Sequence, residues 1–309
     1  MKTCVLIYNP NSGHVFKTKY LKEYKKILIK NGYTPKFIAT CYRGHAKEII
    51  SHLEKVDLVI SMGGDGTFNE IVSGNLERKE PLIISHIPVG TTNDIGVMFG
   101  YGKDIKNNLK LLLKGCVKEM DICLINNQPF VYVAGFGKFM QVPYLTPRKL
   151  KKKYGYIAYI IEGIKDYFSP TKLYKITYEV NGITKTGYYS FVLISNANRI
   201  AGINNFYRDV KLDDDKFEVL LCNFNRRKDI IKTFSLLMTV DATKVSGVEF
   251  YKTNNMKIEF EEYPKYSWCI DGEKLNRANL KYEIKNINKV KIMLPTKNIN
   301  KIFVNKKID

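Results

Sequence analysis

The sequence predicts an α/β N-terminal domain, a doubly wound parallel sheet of the nucleotide-binding kind, followed by a mainly antiparallel β-sandwich. Three observations carry this expectation. Through the first 126 residues, short apolar β-branched runs alternate with stretches of helical spacing, which is the rhythm of βαβ units. The runs end in loops of glycine, hydroxyl and carboxylate side chains, and in such sheets ligands sit at the carboxyl ends of strands. From residue 127 alternating and β-branched runs take over, as in antiparallel strands. The expected domains are 1–126 and 127–294, with Asn127-Gln128-Pro129 as the turn between them and segment 295–309 completing the first domain.

Cys4 to Tyr8 is a buried-type strand running into Asn9-Pro10-Asn11-Ser12-Gly13, a turn rich in side chains that bond their own backbone. Phe16, Tyr20, Tyr24, Ile27 and Leu28 recur at three- and four-residue offsets and predict a helix. Pro35 to Ala39 reads as the second strand, ending at Thr40, and Ala46, Ile49, Ile50 and Leu53 mark the second helix. Asp57 to Ser61 is the third strand. Gly63-Gly64-Asp65-Gly66-Thr67 follows, and Phe68, Ile71 and Val72 open a helix directly after it.

Those glycines let the backbone turn and let an anion approach N–H groups that the helix N-terminus also directs toward it. A carboxylate in such a loop repels phosphate unless a cation lies between them, so Asp65 points to a nucleotide handled with Mg²⁺. A glycine-rich turn is equally a structural strand–turn–helix junction with a solvated Asp, and the loop alone leaves both readings open. It lacks the third glycine of the dinucleotide fingerprint and the Gly-Lys-Ser/Thr of a Walker A loop. Leu82 to Ile87 is the fourth strand, and Pro88-Val89-Gly90-Thr91-Thr92-Asn93-Asp94 repeats the same loop chemistry. Helical spacing returns from Leu109 to Leu113, and Met120-Asp121-Ile122 follows.

In the second domain, strands are expected at Lys175–Val180, Thr186–Ser195, Phe217–Asn223, Met256–Glu261, Ser267–Ile270 and Val290–Leu294, with helices at Tyr156–Tyr167 and Asp229–Met238. Pro147-Arg148-Lys149-Leu150-Lys151-Lys152-Lys153-Tyr154-Gly155 is either a solvated face or a polybasic patch for an anionic membrane surface. Lys211-Leu212-Asp213-Asp214-Asp215-Lys216 is an acidic turn in a basic chain. Asp271-Gly272 before Glu273 reads as a hairpin turn flanked by two carboxylates.

The formal charge of +20 calls for an anionic partner: membrane, nucleic acid or polyphosphate. The basic residues are dispersed and no recognition module appears, which argues against nucleic acid. No apolar run is long enough to span a bilayer and a strand begins within four residues of Met1, so the expected place is the cytoplasm. The 6 cysteines lack metal-ligand spacing and are expected as reduced thiols.

Gly63-Gly64-Asp65-Gly66-Thr67 with Asn69-Glu70 adjoining, and Pro88 to Asp94 as Pro-x-Gly-Thr-x-Asn-Asp, closely resemble the diacylglycerol kinase and sphingosine kinase superfamily of lipid kinases. Asn9 to Gly13 as Asn-Pro-x-Ser-Gly, the Lys211–Lys216 segment and Asp271-Gly272-Glu273 extend that resemblance, in order, from Val5 to about Leu294, most closely toward the soluble bacterial diacylglycerol kinases. It implies an ATP- and Mg²⁺-dependent kinase acting on a lipid primary hydroxyl, with diacylglycerol as acceptor, peripheral membrane association and a homodimer. Asn9, Pro10, Asn11, Ser12, Gly13, Thr40, Gly63, Gly64, Asp65, Gly66, Thr67, Phe68, Asn69 and Thr91 would line the nucleotide. Asp65, Asp94 and Asp121 would organise Mg²⁺ and water in a cleft between the domains. Glu273 would be the general base, with Asp271 supporting the Mg²⁺–water network. A structural Mg²⁺ would be held by Asp214 with the backbone oxygens of Lys211 and Lys216.

NAD kinases share the Gly-Gly-Asp-Gly core, and Asn69-Glu70 favours the lipid branch over them. The chain departs from the family at Ile95 and Val97, where Phe and Arg are usual, and at Asp215, where Gly is usual; these departures keep a catalytically weak regulator in view.

Overall fold

The computed structural model describes residues 1–12, 18–147, 150, 154, 156–204, 206–207, 209–224, 226, 228–230, 248–275 and 278–304. They fall into two compact units: Met1–Met120 with Lys289–Asp309, and Asp121–Asn288.

Unit 1 begins β1 (Lys2–Tyr8), α1 (Thr18–Lys30), β2 (Tyr33–Ala39), α2 (His45–Ser51), β3 (Leu58–Gly63) and α3 (Asp65–Leu76). It continues with β4 (Ile84–Pro88), α4 (Asp94–Met98) and α5 (Ile105–Leu113). The strands lie parallel in the order β2-β1-β3-β4. β3 and β4 are buried along their whole length, which is why they read as unbroken apolar runs. His86 of β4 is fully buried, its ring 4.9 Å from that of Phe68. Burial pushes its pKa down to about 3, so it stays neutral in the core.

β1 has β2 on one side and β3 on the other, so the winding reverses beside it and opens a crevice at the strand ends. Backbone bonds lace those ends together. Thr40 N–H donates to Tyr8 O (2.8 Å), Asn9 N–H to Met62 O (3.1 Å) and Val89 N–H to Gly63 O (2.8 Å).

The chain enters unit 2 along β5 (Cys116–Ile125), followed by β6 (Gln128–Phe130), β7 (Val133–Gly137), α6 (Val142–Leu145) and α7 (Tyr156–Phe168). β8 (Tyr174–Val180), β9 (Ile183–Tyr189), β10 (Phe191–Ser195), β11 (Arg199–Ile200), β12 (Ile203–Asn204), β13 (Phe217–Cys222) and β14 (Val248–Thr253) come next. β15 (Asn255–Phe260), β16 (Cys269–Ile270), β17 (Glu273–Lys274) and β18 (Lys281–Leu294) close it. One antiparallel sheet runs β14-β13-β10-β7-β16-β17, and β9-β8-β15 with the first half of β18 forms a second. Between them Phe136, Tyr174, Tyr178, Phe217, Phe260, Trp268 and Tyr282 share one core. In β15 the alternation is complete: Met256, Ile258 and Phe260 are buried, and Asn255, Lys257 and Glu259 are exposed. β18 then returns the chain to unit 1, where Ile292 pairs with Ile84 in parallel.

The structure departs from several expectations. Asn126 (φ 46°) and Asn127 (φ 66°) make the tight turn of the β5–β6 hairpin, where a linker turn was expected; the units part a few residues earlier, at Met120–Asp121, and on the return at Asn288–Lys289 within β18. The expected strand Thr186–Ser195 breaks at buried Ser190 into β9 and β10, which join different sheets. Of the expected helix Asp229–Met238, residues 229–230 are helical and the remainder lies outside the described residues. No helix among the described residues is long and apolar enough to cross a membrane.

Candidate active site

In unit 1, Gly64 N-caps α3 in extended conformation with no capping side chain. A Cβ on Gly66 would meet no atom within 4 Å, so the first turn of the helix faces open space that a phosphate can enter. A Cβ on Gly90 would come within 2.7 Å of Gly64 Cα, so the two glycine loops touch backbone to backbone because residue 90 lacks a side chain. Asn93, in left-handed conformation (φ 52°), closes its own loop: Oδ1 accepts from Gly90 N–H (2.6 Å) and Nδ2 donates to Gly90 O (3.0 Å).

Asp65 joins the two loops. Its Oδ2 accepts from Asp94 N–H (3.0 Å) and its Oδ1 from Ile95 N–H (3.3 Å), so a carboxylate of the first loop caps the helix of the second. Asp94 itself is buried beside it. Glu70 does the same toward β2: its oxygens accept from Gly44 N–H (2.8 Å) and Ala46 N–H (3.2 Å), holding the segment after Thr40. Asn9 Oδ1 accepts from Asn11 N–H (2.9 Å), and Ser12 N–H donates to Asn9 O (3.0 Å), a self-closed turn at the end of β1. Pro10, Asn11 and Thr91 are exposed on these loops. The ring of Phe68 is fully buried against His86 and Phe99, so its side chain serves the core. Gly13 lies outside the described residues.

In unit 2, Asp121 is fully buried on β5. Its N–H donates to Leu212 O (2.7 Å) and its Oδ2 accepts from Asp215 N–H (2.7 Å). Asp215 sits at φ 60°, which explains why glycine suits that position and shows that Asp reaches the same turn geometry. Glu273 opens β17, exposed, directly after the two-residue turn Asp271 (φ 47°) and Gly272 (φ 85°). Asp271 is buried, and its carboxylate accepts from the N–H groups of Val131 (2.6 Å), Tyr132 (3.1 Å) and Val133 (2.9 Å). It therefore pins the turn that carries Glu273.

The family model of the diacylglycerol kinase catalytic domain matches residues 3–125. A diacylglycerol kinase of Staphylococcus aureus (strain JH9) is 30% identical over 275 residues, covering 88% of this chain and 86% of that protein. This chain belongs to the diacylglycerol kinase family. A diacylglycerol kinase of Bacillus subtilis (strain 168) is 29% identical over 278 residues, 88% of this chain and 90% of that one. Among solved structures, a diacylglycerol kinase from Bacillus anthracis str. Sterne matches with a TM-score of 0.76 at 22% identity, over 96% of this chain and 98% of that chain, a likeness of fold.

In this lipid-kinase family member the departures stand in different settings, and nothing in the structure explains the loss of Arg at position 97. Ile95 is fully buried and donates its N–H to Asp65, while Val97 stands on the surface. The acidic turn differs more. Lys252 Nζ lies 2.7 Å from Asp214 Oδ2 and 3.4 Å from Glu218 Oε1, and donates to Asp209 O at 3.1 Å. Burial would lower the Lys252 pKa, but the Asp214 hydrogen bond and the charges of Glu218 and Asp214 outweigh it and raise the pKa above its ordinary value. Burial pushes the Glu218 carboxyl up to about 8, opposed by Lys252 and reinforced by Asp214. Asp214 Oδ1 also accepts from Lys216 N–H (3.2 Å). The carboxylate expected to ligate a structural Mg²⁺ thus already faces an ammonium 2.7 Å from Oδ2, and a divalent ion does not fit beside that charge.

Glu70, Asn93 and Lys252 were not among the expected site residues. The first two stand inside the quoted motifs, whereas Lys252 carries no local signal.

Proposed function

We propose that this protein transfers the γ-phosphoryl group of ATP, with Mg²⁺, to the primary hydroxyl of diacylglycerol, giving phosphatidate. The observation that carries this reading is the clamp of Asp65 on the Asp94–Ile95 backbone, which sets two glycine loops and two carboxylates at the ends of β3 and β4, beside the winding reversal. Room beyond Gly66 at an uncapped helix N-terminus suits a phosphate chain. Asp65 and Asp94 would hold Mg²⁺ through water, and the ion would neutralise charge on the phosphates. Asn9, Asn11, Ser12, Thr40, Asn69 and Thr91 would border the nucleotide. Glu273 would take the proton of the attacking hydroxyl, and Asp271 acts through it as a positioning residue. Asp121, held by the Leu212–Asp215 turn, would complete the acidic set.

A membrane surface as the place of work has its own support. Ile157, Ile161, Ile164 and Phe168, spaced along one face of α7, are 58%, 42%, 53% and 60% exposed. The basic residues preceding them in sequence, Arg148, Lys149 and Lys151 to Lys153, lie outside the described residues; their charge suits anionic lipid. The test is label transfer from γ-labelled ATP to diacylglycerol in anionic vesicles. Transfer should require Mg²⁺ and cease with EDTA, and Ile157→Ser/Ile161→Ser/Ile164→Ser should reduce vesicle sedimentation at least about tenfold at equal thermal stability. Undiminished transfer in EDTA rejects the metal role; undiminished sedimentation rejects the α7 surface.

A further inference from the structure

We infer that in this protein the ammonium of Lys252 takes the structural place expected of a bound divalent cation at the Lys211–Lys216 turn, so that the turn, and Asp121 with it, is held without a metal. The position of Lys252 follows from strand register. Glu218 of β13 and Lys252 of β14 are direct cross-strand partners, and Glu218 stands two residues after Lys216. The register thus delivers a cation to the rim of the turn. Its ammonium donates to Asp209 O at 3.1 Å and lies 2.7 Å from Asp214 Oδ2 and 3.4 Å from Glu218 Oε1, so three oxygens surround it. A metal ion on Asp214 Oδ2 would have to expel this ammonium or tolerate like charge a few ångströms away in a partly buried setting.

What the cation upholds is visible in the backbone. Asp214 turns back onto Lys216 N–H, Asp215 takes its left-handed conformation, and Asp215 N–H and Leu212 O grip Asp121 on its two sides. A neutral residue at 252 would leave the Asp214 carboxylate, half-buried beside Glu218, without its counter-charge. It would also open a place lined by three oxygens, chemistry that suits a hard divalent cation. Lys252 is therefore a positioning residue for Asp121. The inference does not depend on the phosphoryl-transfer reading, and none of its readouts is activity.

The experiment titrates Mn²⁺ into the nucleotide-free full chain, counting bound ion by electron paramagnetic resonance and following Tm in EDTA and in Mn²⁺. In the wild type, Asp214→Asn should leave the Mn²⁺ count unchanged. Lys252→Met should lower Tm in EDTA by roughly 5 °C, gain one Mn²⁺ site and recover Tm with the ion. The double variant Lys252→Met/Asp214→Asn should lose both the site and the recovery. Lys252→Arg, which keeps the charge, should stay within about 2 °C of wild type and gain no site. A wild-type Mn²⁺ site that Asp214→Asn removes overturns the inference, as does Lys252→Met with unchanged Tm and Mn²⁺ count. If Lys252→Met does not fold, the wild-type, Asp214→Asn and Lys252→Arg titrations decide.

Discussion

Glu273→Gln is expected to lower kcat by about 10²–10⁴-fold while leaving KM for ATP and Tm nearly unchanged. The side chain is exposed, and the hairpin geometry comes from Asp271 and Gly272, so the amide is accommodated without disturbing the fold. Gln keeps the size and hydrogen-bonding reach of Glu but cannot accept a proton from a lipid hydroxyl. The loss should therefore fall on turnover, read from steady-state rates with saturating lipid, and not on nucleotide affinity. Turnover within about threefold of wild type would remove Glu273 from the role of base. Asp271→Asn would be less diagnostic, because that carboxylate binds three backbone N–H groups and its loss perturbs the turn as a whole.

Asp65→Asn should reduce kcat/KM by about 10³-fold, a loss of about 4 kcal/mol in transition-state stabilisation. Two effects combine. The charge that would face Mg²⁺ is gone, and an amide has one acceptor oxygen where the carboxylate offers one to each donor, so the N–H of Asp94 or of Ile95 meets an NH₂ group instead of an oxygen. The second effect should destabilise unit 1 by about 1–3 kcal/mol, visible as a lower urea midpoint with an unchanged m-value. Loss of stability without loss of kcat/KM would make Asp65 a structural clamp alone.

Much of this was readable from residues whose constraint is local. Strands β3 and β4 of unit 1 are buried along their whole length and so read as unbroken apolar runs, β15 alternates, and Asp271-Gly272 forms the two-residue turn that its composition predicts. The double glycine loop was legible because only glycine permits Gly90 to approach Gly64. What escaped depends on partners distant in sequence. The β5–β6 hairpin uses the same Asn-rich turn chemistry as a linker, and only strand pairing tells them apart. Phe68 follows the glycine loop directly, yet helical phase turns it into the core. Lys252 meets Asp214 through the β13–β14 register, which no spacing in the sequence reveals.

The most direct measurement offers γ-labelled ATP and Mg²⁺ with diacylglycerol, sphingosine, phosphatidylglycerol and NAD in parallel, and identifies the labelled product. Label in phosphatidate, lost in Glu273→Gln and in Asp65→Asn, is the expected result. Label in phosphorylated NAD alone, or in no acceptor while ATP still binds, would contradict it.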